Sequence, residues 1–399
     1  MTPPTSRPSM AVFCDSPDEN WRAMDLVAEM FVHELANGLR DRVDVVPFTI
    51  DLPHVMRKLA PTRASGAFNF DRAAGRFLVY PAQAVRQRGR FDFYHVVDHT
   101  YAQLVHVLPP ERTGVFCHDL DAFRSLLRVG TEPRPLWFRS MQRVALHGMQ
   151  RAAIVFYSTA VVREQIEREG FVKPERLVQA PYGISAEFDA VPRDDDGAAE
   201  VLAPLGGRPY LLHVGSAVPR KRLDVLFETY ARLRAKHPEL RLVQNGAALS
   251  EAQRAHVERL GIEVLQPSKR RIDRRVLAGL YRRAKAVLVT SDAEGFGIPV
   301  IEGLACGAVV FASDIPVLRE VGGGDAAIHC RVGDADDWAA RIGRFLAGEP
   351  PPSRDARLAR AAKYTWPNHA RIILGAYEAL ARGELRAGPA RAGDWNAPC

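Results

Sequence analysis

The chain has 399 residues, 47% hydrophobic and 25% charged, with 54 Lys and Arg against 47 Asp and Glu for a formal net charge of +7. That length exceeds what one hydrophobic core usually serves, so two domains are expected, and the composition excludes a disordered or fibrous chain. The positive excess favours anionic partners, but nucleic acid, phosphorylated small molecules and anionic lipid head groups all qualify.

No run approaches the roughly 18 apolar residues of a membrane span. The N-terminal MTPPTSRPSM lacks the apolar centre of a secretory signal, so a cytoplasmic protein is expected. Five scattered cysteines, Cys14, Cys117, Cys306, Cys330 and Cys399, form no CxxC pair and no His/Cys cluster. Free thiols are expected, with neither a disulfide framework nor a structural metal.

Short β-branched or aromatic runs alternate with amphipathic segments, the pattern of parallel sheets covered by helices. In the first half the expected strands are AVFC from Ala11, VDVVPF from Val43, FYHVV from Phe93, GVFC from Gly114, AIVFY from Ala153 and LVQAP from Leu177. Between the first two, Met24, Val27, Ala28, Phe31, Leu35 and Leu39 mark one stripe of a helix. A doubly wound domain over residues 1–190 follows from this alternation.

The stretch VPRDDDGAAEVLAPLGGRP from Val191 is acidic, contains Gly and Pro, and lacks sustained periodicity, so residues 191–207 are expected to be a linker. The alternation then restarts with YLLHV from Tyr210, LRLVQ from Leu240, IEVL from Ile262, AVLVT from Ala286, VVFA from Val309 and AIHC from Ala327. A second doubly wound domain is expected over residues 208–365. Residues 366–387 read as a terminal amphipathic helix returning to the first domain, and 388–399 as a frayed tail. Ligands of such α/β sheets sit outside the carboxyl ends of the strands.

One such end carries EGFGIPVIEGLACG, from Glu294 to Gly307. After the buried strand AVLVT, Gly295 and Gly297 would form the loop into a helix, with Pro299 as its first residue. Backbone N–H groups and the helix N-terminus would then face an anion or a sugar hydroxyl. Glu302 is expected in the first turn, and Glu294 in the loop. Taken singly, each acid suits a structural role, since the helix dipole alone favours Glu in a first turn.

The stretch from Glu294 to Ala327, EGFGIPVIEGLACGAVVFASDIPVLREVGGGDAA, resembles the donor-site signature of the family 4 retaining glycosyltransferases. Further resemblances are LLHVGSAVPRKRLDVLFETYARL from Leu211, LAGLYRRAKAVLVTSDAEGFG from Leu277, FCHDLDAF from Phe116, YSTAVVREQI from Tyr157, PYGIS and YTWPNHA. The likeness spans most of the chain, strongly in the second half and loosely in the first. It implies the GT-B fold, two doubly wound Rossmann-like domains facing a central cleft.

The resemblance implies sugar transfer from a nucleotide-diphosphate sugar to an acceptor hydroxyl with retention at the anomeric carbon. No cofactor or metal is expected beyond the donor substrate. Arg220 and Lys221, in PRKR, would stabilise the leaving diphosphate. Glu294 and His118 would act at the donor sugar, and Glu302 would hold the ribose. Gly215 and Ser216 would approach the phosphates, and backbone N–H groups around Gly295, Phe296, Gly297 and Ile298 would hold sugar hydroxyls. Many family members have an arginine where this chain has Ser216, so charge must come from elsewhere.

The loop CDSPDENW from Cys14 lacks the glycine-rich turn of many relatives. Asp15, Asn20 and Trp21 are candidates for an acceptor pocket, with capping and packing as equal alternatives. The basic run KRRIDRR from Lys269 suits a solvated helix start or a peripheral contact with the inner face of a membrane. No nucleic-acid module is recognisable. The expected context is bacterial glycan, glycolipid or surface-polysaccharide synthesis. A sugar phosphorylase, a nucleotide-sugar epimerase, or a non-catalytic nucleotide-binding relative of the same fold are the rival readings.

Overall fold

A computed structural model describes residues 7–19, 21–53, 65–127, 134–267 and 272–385. The chain divides into two compact units, Met1–Pro181 with Trp366–Cys399, and Tyr182–Thr365. Each is built on a six-stranded, wholly parallel sheet.

In the first unit the strands are β1 (Ser9–Phe13), β2 (Asp44–Phe48), β3 (Phe93–Val96), β4 (Thr113–Cys117), β5 (Ile154–Tyr157) and β6 (Leu177–Gln179), in the order β2-β1-β3-β4-β5-β6. Helices cover both faces of such a sheet, so central strands are apolar throughout rather than alternating, and every residue of β3, β4 and β5 is buried. The register sets Phe13 beside Val96, and Val96 beside Val115. Residues just past those positions therefore emerge together at one end of the sheet.

The expected stripe is realised by the helix Arg22–His33 and a π-turn over Glu34–Gly38, which bury Val27, Ala28, Phe31 and Leu35. The terminal helix Trp366–Ala381 belongs to this unit. Its Tyr377 hydroxyl donates to the Tyr94 carbonyl at 2.8 Å, and His369 Nδ1 lies 3.0 Å from the Pro181 carbonyl. A side chain at Gly114 would collide with the Tyr377 hydroxyl, which explains glycine in the middle of β4.

In the second unit the strands are β7 (Tyr210–Val214), β8 (Arg241–Asn245), β9 (Val264–Leu265), β10 (Ala286–Val289), β11 (Val310–Ser313) and β12 (Ile328–Cys330), in the order β12-β11-β10-β7-β8-β9. Each of the twelve strands expected from the sequence is present, with ends shifted by one or two residues. The four described cysteines, Cys14, Cys117, Cys306 and Cys330, are free and buried.

The segment expected as a linker is instead folded into the second unit. Asp196 is buried between Arg282 Nη2 at 3.0 Å and Arg283 Nη1 at 2.7 Å, and its other oxygen accepts from the Ala198 N–H at 3.0 Å. A short helix, Ala198–Leu202, follows. An acidic run looks solvated when its partners lie about ninety residues away in sequence, as these arginines do. Of KRRIDRR, Lys269 to Arg271 lie outside the described residues; Asp273 caps the helix Arg274–Arg283 by accepting from the Arg275 N–H. The tail 388–399 also lies outside them.

Asp196→Ala leaves the buried Arg282 without its nearest carboxylate, and is expected to destabilise the second unit by roughly 3 kcal/mol. A lower urea midpoint measures this; an unchanged midpoint would show that the segment bears no structural load.

Candidate functional site

Strands β7 and β10 are neighbours, so the loops leaving their carboxyl ends meet. The first of these begins at Gly215, whose N–H donates to the Asn245 carbonyl at 3.0 Å and whose carbonyl accepts from Gln244 Nε2 at 3.1 Å. A Cβ at Gly246 would fall on that carbonyl, so Gly246 is a second glycine that this turn requires. Ser216 is exposed.

Pro219–Lys221 form one 3-10 turn, and Arg222, at φ +48°, turns the chain into the helix Leu223–Arg234. The loop after β10 holds this turn in place. Thr290 Oγ1 donates to the Lys221 carbonyl at 2.8 Å, and the Asp292 N–H donates to the Arg220 carbonyl at 2.9 Å.

The outcome is a cluster around Glu294. Lys221 Nζ lies 2.6 Å from its Oε1, the Ser291 hydroxyl donates to the same oxygen at 2.7 Å, and Arg220 Nη1 lies 3.4 Å from Oε2. The Glu294 side chain is only 7% exposed and that of Lys221 12%, whereas Arg220 is more open. Burial raises the Glu294 pKa, but the charges of Lys221 and Arg220 and the hydrogen bonds from Lys221 and Ser291 outweigh it and hold the carboxyl below its usual value. Glu294, Arg220 and Lys221, chosen from separate motifs, are thus in direct contact.

Gly297 has φ +95° and is the residue before the helix Ile298–Ala305. Any side chain there would be strained and would meet Leu318 Cδ2 at 2.6 Å. The Phe296 ring is buried against Tyr182 and Tyr364, with centroids 4.8 and 5.5 Å away, so it anchors the loop while leaving only its backbone for a ligand.

Two expectations need correction. The first helical residue is Ile298 rather than Pro299, because the glycine at 297 already makes the turn. Glu302 therefore sits in the second turn, not the first. It is buried, accepts from the Tyr281 hydroxyl at 2.9 Å, and is pushed by burial from 4.5 to about 8.

In the first unit His118 follows β4 directly. Its Nε2 lies 2.7 Å from the Val97 carbonyl and its ring stacks on Phe116 at 4.9 Å. Burial is the largest cause lowering its pKa, to about 4, so the imidazole is neutral near pH 7. Asp15 is buried, 5% exposed, two residues past β1. Trp21 is 53% exposed and donates its indole N–H to Glu19 Oε2 at 3.0 Å. The acceptor candidates thus differ sharply in environment, and Asn20 lies outside the described residues.

Sequence reasoning missed Ser291, Thr290, Gly246 and Tyr281. Only the hydroxyl pair after AVLV gave a signal, since polar residues that end a buried strand usually have partners. Among the described residues no helix is long and apolar enough to cross a membrane.

Residues 197–364 match the family model described as Glycosyl transferases group 1, and they include the Glu294 cluster. A D-inositol 3-phosphate glycosyltransferase of Stackebrandtia nassauensis is 32% identical over 220 residues, 51% of this chain and 49% of the relative. The O-antigen chain mannosyltransferase B of Escherichia coli is 26% identical over 61% of this chain and 65% of its own. The chain spans about half the length of three curated relatives that it matches, 49 to 60%. Among solved structures, Anabaena HepE in complex with UDP and glucose superposes with TM-score 0.68 at 16% identity, over 94% of this chain and 100% of that one. This likeness gives the two-domain GT-B fold.

The Glu302 carboxyl yields a pH prediction. Its folded value lies above its unfolded one, so between about pH 4.5 and 8 the native chain keeps a proton that the unfolded chain has lost, and stability falls as pH rises through that window. Glu302→Gln removes this slope. Its melting temperature relative to wild type is expected to rise from pH 5 to pH 8 and then level off; parallel curves would mean that Glu302 is ionised in the native chain.

Proposed function

We propose that this chain, a member of the group 1 glycosyltransferases with the GT-B fold, moves a hexose from a nucleoside-diphosphate sugar to an acceptor hydroxyl with retention at the anomeric carbon and without a metal. The observation carrying this reading is the Lys221–Glu294–Arg220 cluster beside the N-terminus of the helix Leu223–Arg234. When the bond from the anomeric carbon to the diphosphate breaks, negative charge grows on the leaving oxygen. Two cations already fixed in place, with a helix N-terminus behind them, stabilise that charge without reorganising.

In this reading Glu294 faces the donor sugar, and the backbone of Gly295 to Ile298 holds its hydroxyls. Glu302 meets the ribose; with a proton on it at neutral pH, it donates one hydrogen bond as well as accepting another. Gly215 allows close approach of the phosphates, and the exposed Ser216 adds a hydroxyl. His118, neutral, offers a hydrogen bond to the transferred sugar. The acceptor oxygen forms the new bond on the face that the diphosphate leaves, and its proton passes to the departing phosphate oxygen. No protein nucleophile is invoked.

UDP and glucose in HepE, and the mannosyl and inositol phosphate names among the relatives, support a hexose on a nucleoside diphosphate and a glycan or glycolipid product. Family 4 membership agrees with the two-glutamate signature. A bacterial surface-polysaccharide or glycolipid pathway, with the chain working at the inner face of a membrane, suits such a product.

A thermal-shift panel of UDP, GDP, ADP and dTDP, with and without magnesium, tests the donor site, since a ligand that binds only the folded chain raises its melting temperature. One diphosphate is expected to give a selective shift that magnesium does not change. Glu294→Gln should still fold, with a lowered melting temperature, and lose about 100-fold or more in transfer, while Lys221→Ala should also weaken diphosphate binding. Nuclear magnetic resonance of the product should show the donor's anomeric configuration. Full turnover by Glu294→Gln, or an inverted product, would refute the mechanism.

A further inference from the structure

The carboxyl ends of β1 and β3 gather several buried polar atoms that the fold leaves short of partners. Asp15 lies two residues past Phe13 and Asp98 two residues past Val96, and those strand residues are register partners, so the two carboxyls emerge side by side. Apart from the proton that Asp15 shares with Asp98, no hydrogen bond reaches the Asp15 oxygens, Ser16 Oγ or His99 Nε2, although Asp15 is 5%, Ser16 0% and His99 3% exposed. Leaving such a buried group short of hydrogen bonds is costly, and three of them stand together at these strand ends.

The neighbouring charges limit what that ligand is. Arg76 donates from Nε to Glu19 Oε1 at 2.6 Å and from Nη2 to Oε2, and its guanidinium lies 4.1 Å from the Tyr101 ring centroid. Its charge is therefore already matched by Glu19, which also accepts from the Tyr101 hydroxyl at 2.9 Å. Asp98 accepts from the Thr100 N–H at 2.7 Å and lies 3.3 Å from His99 Nδ1. Burial and then the charge of Asp98 push Asp15 well above the usual carboxylate range, whereas His99, His118 and the Thr100 N–H hold Asp98 below it against burial. One proton on Asp15 and one charge on Asp98 limit the repulsion within the pair but leave hydrogen-bonding capacity on Asp15 unused.

We propose that Asp15, Ser16 and His99 form a binding site for an uncharged polyhydroxyl group and that Asp15 sets acceptor choice by excluding phosphorylated acceptors. This rests on the glycosyltransferase reading above and names the acceptor class for it. A hydroxyl both donates and accepts, so it serves the Asp15 carboxyl, the Ser16 hydroxyl and the free ring nitrogen of His99 together. A phosphate dianion would accept only and would face two carboxyls whose nearest arginine is already paired.

The test uses the full chain and the nucleotide sugar matching the diphosphate selected by thermal shift. Myo-inositol and methyl mannoside are compared with inositol monophosphate and mannose 6-phosphate as acceptors. Transfer to the uncharged pair is expected to exceed transfer to the phosphorylated pair by about 100-fold, and Asp15→Ala to raise the acceptor KM about 10-fold without altering the diphosphate thermal shift. Asp15→Asn, which keeps hydrogen bonding, should restore most of that KM. Ser16→Ala, with a smaller rise, serves if Asp15→Ala does not fold.

A diphosphate shift with preference for phosphorylated acceptors, with an unchanged acceptor KM in Asp15→Ala and Ser16→Ala, or with donor hydrolysis and no transfer to any of the four, overturns this inference alone. The absence of both a diphosphate shift and donor consumption overturns the donor-site reading, and this one with it.

Discussion

A carboxylate shut away from water stays ionised only beside compensating charge, and in the second unit that requirement ties two loops together. Glu294 follows β10, and its cations follow β7. Because the strands are adjacent, one short ion pair fixes the loops relative to each other, and the backbone bonds from Thr290 and Asp292 lock the turn that presents the cations. The geometry that keeps Glu294 charged also places positive charge where a diphosphate would need it. Under the function proposed above, stability and chemistry would draw on the same contact, so a variant at any of the three residues would act on both.

The fold treats its other buried acids differently, and the differences lie in how far each is hydrogen-bonded. Asp196 is fully satisfied by two arginines and a backbone N–H, which leaves nothing for a ligand. Glu302 accepts from the Tyr281 hydroxyl and holds its proton, which leaves that proton to donate. Asp15 shares a side-chain hydrogen bond with Asp98, and no other donor reaches its oxygens. Saturation of hydrogen bonds, more than burial, tells these cases apart.

Much of this was legible in the sequence because strands of a parallel sheet announce themselves. Both faces are covered, so AVLV and YLLHV are apolar throughout, and turn formers bound them. The glutamate motif was legible for a similar reason: it is local, with loop, helix and both acids within nine residues. The acidic stretch around Asp196 was misread because its partners, Arg282 and Arg283, are remote in sequence. Glu302 was placed a turn too early because proline usually opens a helix, and here Gly297 opens it one residue sooner.

The first unit shows where such reading stops. Its polar group draws one or two residues from each of three strands and from the segment around Arg76, so no short motif contains it. The pattern in CDSPDENW allowed Asp15 to be a cap or a ligand, and only the register of β1 against β3 shows that a second carboxyl stands beside it. The cluster around Glu294 is drawn largely from consecutive residues and is legible as a motif, whereas the polar group at these strand ends is assembled across strands and is not. Under the reading proposed above, acceptor choice would rest on the charge balance around Asp15 rather than on the motif at Glu294.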